Sequence, residues 1–369
     1  MGQLETPALR AALEHAVELG EDAVQVAAYL DDELVVDAWI GDVDGSTPFS
    51  IFSISKAITA LALHLQAERG LIDYDAPLAS YWPEYGSRGK EQVTLRQVLS
   101  HRAGVPQMPP DVTPELLDDW MWMTARLAEV EPLYEPGTAN AYHSVCFGWL
   151  IAEPVRRTDP EGRSFRQFVR EELCAPLGVD AFWFGVPPEV ERRVPALTFP
   201  DAPPDPPVDS PVSVAVPSRV ALVPEIFNSP LIRQACLPGV GGIANARSVA
   251  RLFSILAGGG EANGVRFLSE ERVRSFLEPR PDVDGDDLTY GRPFPVGAGG
   301  FWIDAPGVVP GGGRGHVLCH PGAGGTIAWA DLDSGLAVAI CHNRMFGVPP
   351  EHPFAAIGDA VRDAAKVSA

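Results

Sequence analysis

The chain is poor in cysteine and in positive charge, and it contains no long hydrophobic run. Five cysteines, Cys146, Cys174, Cys236, Cys319 and Cys341, are scattered over 369 residues. An odd, dispersed set argues against a disulfide framework and for free thiols in a reducing compartment. Lysine and arginine total 28 against 49 acidic residues, a formal net charge of −21. That balance opposes binding to a phosphate backbone and argues against a nucleic-acid partner. No basic cluster marks a membrane-surface patch, and no stretch of about 18 or more apolar residues could span a bilayer. The opening residues, Met1-Gly2-Gln3-Leu4-Glu5-Thr6, lack the basic-then-apolar order of a secretory signal. A cytoplasmic protein without a membrane partner is the expectation.

Several chemical signatures are also missing. There is no Gly-x-Ser-x-Gly, which argues against the nucleophile elbow of an α/β-hydrolase. There is no His-Glu-x-x-His. Cys319-His320 and Cys341-His342 are neighbouring pairs on expected strands, where adjacent side chains point to opposite faces, so they do not gather into one metal site. Gly311-Gly312-Gly313-Arg314-Gly315 lacks the lysine and following helix of a phosphate loop and reads as a turn. No metal or cofactor is expected, and no internal repeat is visible.

With 46% hydrophobic residues the chain has the composition of a globular protein, with length for one large or two medium domains. Helix signals cover Pro7 to Leu19. Val24–Leu30 and Leu34–Ile40 flank Asp31-Asp32 as a hairpin, and Phe49 to Phe52 reads as a short strand. An apolar helix from Ser53 to Arg69 stops at Gly70. Further helices are expected over Val93–His101, Leu116–Val130, Ala139–Arg157 and Ser164–Leu173. Nine prolines between Pro200 and Pro230 predict an extended or lid-like loop. Ala246–Leu256 returns to helix. Strands follow at Phe301–Ile303, Gly315–His320, Thr326–Ala330 and Leu336–His342, and a helix closes the chain from about Phe354 to Val367. The reading is an α+β fold in which both chain ends supply one antiparallel sheet flanked by helices. Residues 1–75 and 240–369 form the sheet domain, residues 76–239 a mainly helical insertion, and the active site lies between them.

Three stretches carry candidate chemistry. Ser53-Ile54-Ser55-Lys56 places a hydroxyl and an amine on one face of a first helical turn. A capping serine with a solvated lysine is the plain alternative, but a lysine on so apolar a helix is buried and needs a partner or a task. The second stretch, Glu135-Pro136-Gly137-Thr138-Ala139-Asn140-Ala141-Tyr142-His143-Ser144, offers a phenol. Tyr142 is either a boundary tyrosine or a proton relay whose pKa is lowered by Lys56. The third, His320-Pro321-Gly322-Ala323-Gly324-Gly325, follows a strand, where glycine permits close backbone approach and an N–H could stabilise an oxyanion. A bulge or simple turn explains that stretch equally well. Trp120-Met121-Trp122-Met123 reads as core or as the lining of an acyl pocket.

In order, Ser53-x-x-Lys56, Tyr142-x-Ser144 and His320-x-Gly322 resemble the three motifs of the serine β-lactamase and penicillin-binding-protein superfamily. The closer resemblance is to its class C branch, with the family VIII carboxylesterases and related transacylases. Leu99-Ser100-His101-Arg102-Ala103-Gly104, Pro136-Gly137-Thr138 and Gly239-Val240-Gly241-Gly242 fit the phrasing of that branch. The resemblance implies Ser53 as nucleophile, Lys56 and Tyr142 as general base and acid in an undecided division, and an oxyanion hole from the N–H groups of Ser53 and Ala323. Ser144, His320 and Gly322 would bind substrate. Where the family has asparagine this chain has Ser144, and where it has a lysine it has His320, a residue mostly neutral at pH 7. Both departures favour a neutral ester over a carboxylate-bearing lactam or peptide. The expected partner is therefore a small acyl ester or amide, with an alcohol or amine acceptor in place of water if the enzyme is an acyltransferase. A β-lactamase, a D-Ala-D-Ala peptidase and an inactive binding protein on the same scaffold are the other readings; oligomeric state stays open.

Overall fold

Alternation of large and small apolar residues organises the main sheet. The computed structural model describes residues 4–202, 206–305, 307–310, 315–347 and 351–368. Helix α1 (Pro7–Glu18), capped by the Thr6 hydroxyl, leads to strands β1 (Val24–Leu30) and β2 (Glu33–Ile40). Asp31 and Asp32, with φ of 47° and 72°, make the two-residue turn whose twist suits a hairpin. Strand β3 (Phe49–Phe52) runs into α2 (Ile54–Glu68). Next come α3 (Leu95–Leu99), α4 (Trp120–Glu129), α5 (Phe147–Thr158), β4 (Phe182–Phe184), β5 (Gly242–Ala244) and α6 (Ala246–Ala257). Strands β6 (Trp302–Ile303), β7 (Val317–Pro321), β8 (Ile327–Asp331) and β9 (Leu336–His342), then α7 (Ala355–Ser368), complete the chain.

The six-stranded sheet has the order β2-β1-β9-β8-β7-β6 and is antiparallel throughout. First and last strands of the chain are thus neighbours, and both chain ends supply the one antiparallel sheet. On one face Val24, Val26, Ile327, Trp329, Val338 and Ile340 join the core beneath α1 and α7. On the other, Ala27, Ala328, Ala330, Ala337 and Ala339 let α6 and α2 lie close to the sheet. Small side chains under the inner helices and large ones under the outer pair give both layers a close-packed core. Among the described residues no helix is long and apolar enough to cross a membrane.

A second sheet, β3-β5-β4, joins the strand before Ser53 to the helical block. Every residue of α2 from Ile54 to Ala67 is buried, so this helix is the axis of the molecule. It ends as its sequence predicts. Gly70, at φ +73°, lets the Leu71 and Gly70 N–H groups reach the Gln66 and Ala67 carbonyls, a Schellman stop.

Four expectations need correction. The helix expected over Ala139–Arg157 begins only at Phe147, so Tyr142 sits on a loop. That expected over Leu116–Val130 starts at Trp120, where the Asp119 carboxylate caps the Trp122 N–H at 2.9 Å. Met121 on that helix is 67% exposed and is not core. The proline-rich stretch is packed rather than extended: Pro211–Ala215 and Pro224–Phe227 are short helices with Pro in the first turn, and Ala215, Val220 and Phe227 are buried. Proline favours that position because its missing N–H is not needed there. Pro203-Pro204-Asp205 and the Gly311–Arg314 turn lie outside the described residues.

Candidate active site

Ser53 is delivered by a strained residue. Phe52, buried against Phe227, has φ +44°, a left-handed conformation that costs a bulky residue about 1–2 kcal/mol. It swings the chain out of β3 so that Ser53 opens α2. One turn on, Lys56 is fully buried, and its Nζ lies 3.0 Å from Ser53 Oγ, 2.7 Å from the Ser144 carbonyl oxygen and 2.9 Å from that of Gly239. No carboxylate is among these partners. Burial without a counter-charge pushes the amine down from 10.5 to about 7. The valence of nitrogen then matters. A neutral amine has two N–H bonds for the two carbonyls and one lone pair for the Ser53 O–H, which is the arrangement of a general base.

The Gly239 carbonyl reaches Lys56 because two glycines permit it. A Cβ on Gly148 would stand 2.3 Å from the Gly239 nitrogen, so only hydrogen allows α5 and the 239–242 stretch to touch there. Thr59 fixes the same stretch by donating to the Pro238 carbonyl at 2.7 Å, and the Gly242 N–H donates to Ser55 Oγ at 2.9 Å. Sequence reasoning noted the Gly239–Gly242 stretch without giving it a task and did not single out Gly148.

The Tyr142 loop is built from the segment after α3. His101, at φ +59°, accepts the His143 N–H on Nδ1 at 3.0 Å, and its carbonyl accepts the Ala141 N–H at 3.1 Å. Arg102 donates to Asn140 Oδ1 at 2.7 Å and to the Gly137 carbonyl. The Ser53 hydroxyl acts to lower the Tyr142 phenol, against a larger effect of burial, and the Lys56 amine lies 5.2 Å from its ring centroid. The expected lowering of the phenol by Lys56 is not found. Burial dominates and raises its pKa, so Tyr142 stays a proton donor. An amine that burial makes neutral supplies no cation to the phenol, so desolvation governs the Tyr142 hydroxyl.

Ser144 is held on both its backbone and its side chain. Its carbonyl binds Lys56, while its hydroxyl is bonded to the Tyr290 phenol at 2.9 Å. The third motif packs against β3. A Cβ on Gly322 would stand 2.7 Å from the Ile51 carbonyl oxygen, so the glycine lets this turn press against the strand that ends at Ser53. Ala323 begins the 3-10 turn Ala323–Gly325 beside it. His320 is fully buried, and Nδ1 bonds to the Pro321 carbonyl at 2.8 Å. That bond assigns the proton to Nδ1 and leaves a lone pair on Nε2. Burial, reinforced by nearby Lys56, pushes its pKa down to about 3, so the position is neutral, beyond the sequence expectation. Among the described residues no cluster of three or more His, Cys, Asp or Glu could hold a metal ion.

This scaffold and its serine–lysine centre define a β-lactamase-fold serine hydrolase. The beta-lactamase family signature matches residues 9–362, and the chain belongs to that family. It is 36% identical over 369 aligned residues to the esterase/beta-lactamase LipL of Mycobacterium tuberculosis (strain ATCC 25618 / H37Rv), covering 92% of this chain and 82% of LipL. The crystal structure of a family VIII carboxylesterase matches with a TM-score of 0.85 at 27% identity, over 97% of this chain and 98% of that one. EstA from Arthrobacter nitroguajacolicus Rue61a matches with a TM-score of 0.88 at 26% identity over 100% of both chains.

Proposed function

We propose that this protein hydrolyses small carboxylic esters through an acyl-enzyme on Ser53. The observation that carries the reading is Lys56: a buried amine near pKa 7, held by two carbonyls, with its third direction on Ser53 Oγ. Lys56 takes the hydroxyl proton as Oγ attacks the ester carbonyl carbon. The oxyanion is met by the N–H groups of Ser53 and Ala323, donors fixed before charge develops. Tyr142, kept protonated by burial, gives its proton to the departing alkoxide and is reprotonated from Lys56. Water then repeats the sequence on the acyl carbon, and Ser53 regains its proton.

An ester rather than a lactam or peptide is favoured by His320. A neutral imidazole offers no charge to a substrate carboxylate, and the Ser144 hydroxyl already has a partner. The reading takes the cleft to lie between residues 1–75 with 240–369 and residues 76–239, and the five free, buried thiols support a reducing, cytoplasmic setting. A chain-length series of p-nitrophenyl esters tests it, with wild type and Ser53→Ala. Turnover by wild type and loss in the variant is the expected result; turnover of a chromogenic cephalosporin but of no ester would overturn it.

A further inference from the structure

Tyr290 has no place in the three motifs, yet it touches two residues of the second, Tyr142 and Ser144. Its phenol bonds to Ser144 Oγ, and its ring stands edge-on to Tyr142 with centroids 6.1 Å apart. It is 37% exposed, whereas Tyr142, Phe294 and Trp302 of the same aromatic group are each 7% exposed or less. Tyr290 is therefore the face that this group turns toward solvent beside the reacting residues.

Its position is built. Asp287, fully buried, accepts the N–H groups of Thr289 and Tyr290 on Oδ1 at 3.0 and 3.4 Å, and its other oxygen lies 3.7 Å from the buried Arg280 guanidinium. Leu288 N–H donates to the Asn140 carbonyl at 2.8 Å, and Thr289 Oγ1 donates to the Tyr142 carbonyl at 3.2 Å. The segment 287–290 thus follows the second motif residue by residue, and its last side chain reaches Ser144.

Two hydroxyls carry two O–H bonds, and the bond between them uses one. Whichever oxygen donates, one O–H remains. From this we infer that Tyr290 is a specificity-determining residue: the Ser144–Tyr290 pair presents a single neutral donor to the substrate, suited to an uncharged acceptor such as an ether-type oxygen in the acyl group or in the leaving alcohol. The inference rests on the ester reading above.

Isosteric ester pairs test it on the full-length protein. Methoxyacetyl and butanoyl p-nitrophenyl esters differ only by oxygen for methylene on the acyl side; 2-methoxyethyl and butyl acetates do so on the alcohol side. In Ser144→Ala/Tyr290→Phe the wall and the Ser144 carbonyl stay, but both hydroxyls, and with them the free O–H, are gone. The preference in kcat/KM for the ether-bearing member should fall about threefold to tenfold in one arm, the net worth of one hydrogen bond. The responding arm locates the oxygen. A merely structural role would slow both members equally, so ratios within about twofold of wild type in both arms overturn the inference. If wild type turns over none of the esters, the ester reading fails by itself. The same ratio is then read from the dissociation constants of propylboronic and methoxymethylboronic acids on Ser53, where an unchanged ratio in Ser144→Ala/Tyr290→Phe again overturns the inference.

Discussion

Activity should follow the protonation of Lys56 alone, with an acid limb near pH 7. Burial moves this amine from 10.5 to about 7. Only the neutral form can take the Ser53 proton, so kcat/KM falls tenfold per pH unit below the pKa. It should stand at about a tenth of its plateau at pH 6 and about a hundredth at pH 5. Nothing else in the site titrates there: His320 is pushed to about 3, His143 to about 4, and His101 also downward. The phenols of Tyr142 and Tyr290 are both raised, so no alkaline decline should appear below about pH 10. The assay is kcat/KM for p-nitrophenyl butyrate from pH 5 to 10, with fluorophosphonate labelling of Ser53 as a substrate-independent check. An acid limb near pH 10 would mean a solvated lysine or a tyrosinate base and would refute the argument. The sign carries over to stability. An unfolded Lys56 keeps its proton up to about 10.5 and binds more protons than the folded one between about 7 and 10.5, so this group makes folding more favourable as pH rises through that window.

Two further substitutions probe the geometry. Gly148→Ala pushes a methyl into the Gly239 backbone and should cost about 1–3 kcal/mol of stability by urea unfolding, together with a fall in kcat, because the Gly239 carbonyl leaves Lys56; unchanged kcat would remove that carbonyl from the account. His320→Lys introduces the missing cation and should move the kcat/KM preference toward mono-p-nitrophenyl succinate over the butyrate by about tenfold, or about 1.4 kcal/mol of charge attraction in a partly desolvated cleft; an unchanged ratio would separate His320 from the substrate.

What the sequence disclosed was local. Ser53 and Lys56 are one helical turn apart, so their meeting follows from periodicity, and apolar neighbours already imply a buried amine. The strands, and the supply of one antiparallel sheet by both chain ends, were likewise legible from composition and order; which strands pair was not. The helix expected from Ala139 starts only at Phe147 because the course of the Tyr142 segment is set by distant partners, His101, Arg102 and the 281–289 segment, which local propensity does not contain. The acidity of Tyr142 was misjudged for a related reason: a nearby cation was visible in the motif order, but the depth of burial that outweighs it was not. Gly239 acts through a carbonyl and Tyr290 through a loop without a motif, so neither left a side-chain pattern to find.

The central claim is covalent chemistry at Ser53, and it can be read directly. Acid-quenching the protein during turnover of a p-nitrophenyl ester and weighing it intact should reveal an added acyl mass, mapped by peptide fragmentation to Ser53 and absent from Ser53→Ala. Undiminished turnover in the alanine variant, or an acyl group mapped to any other residue, would contradict the account.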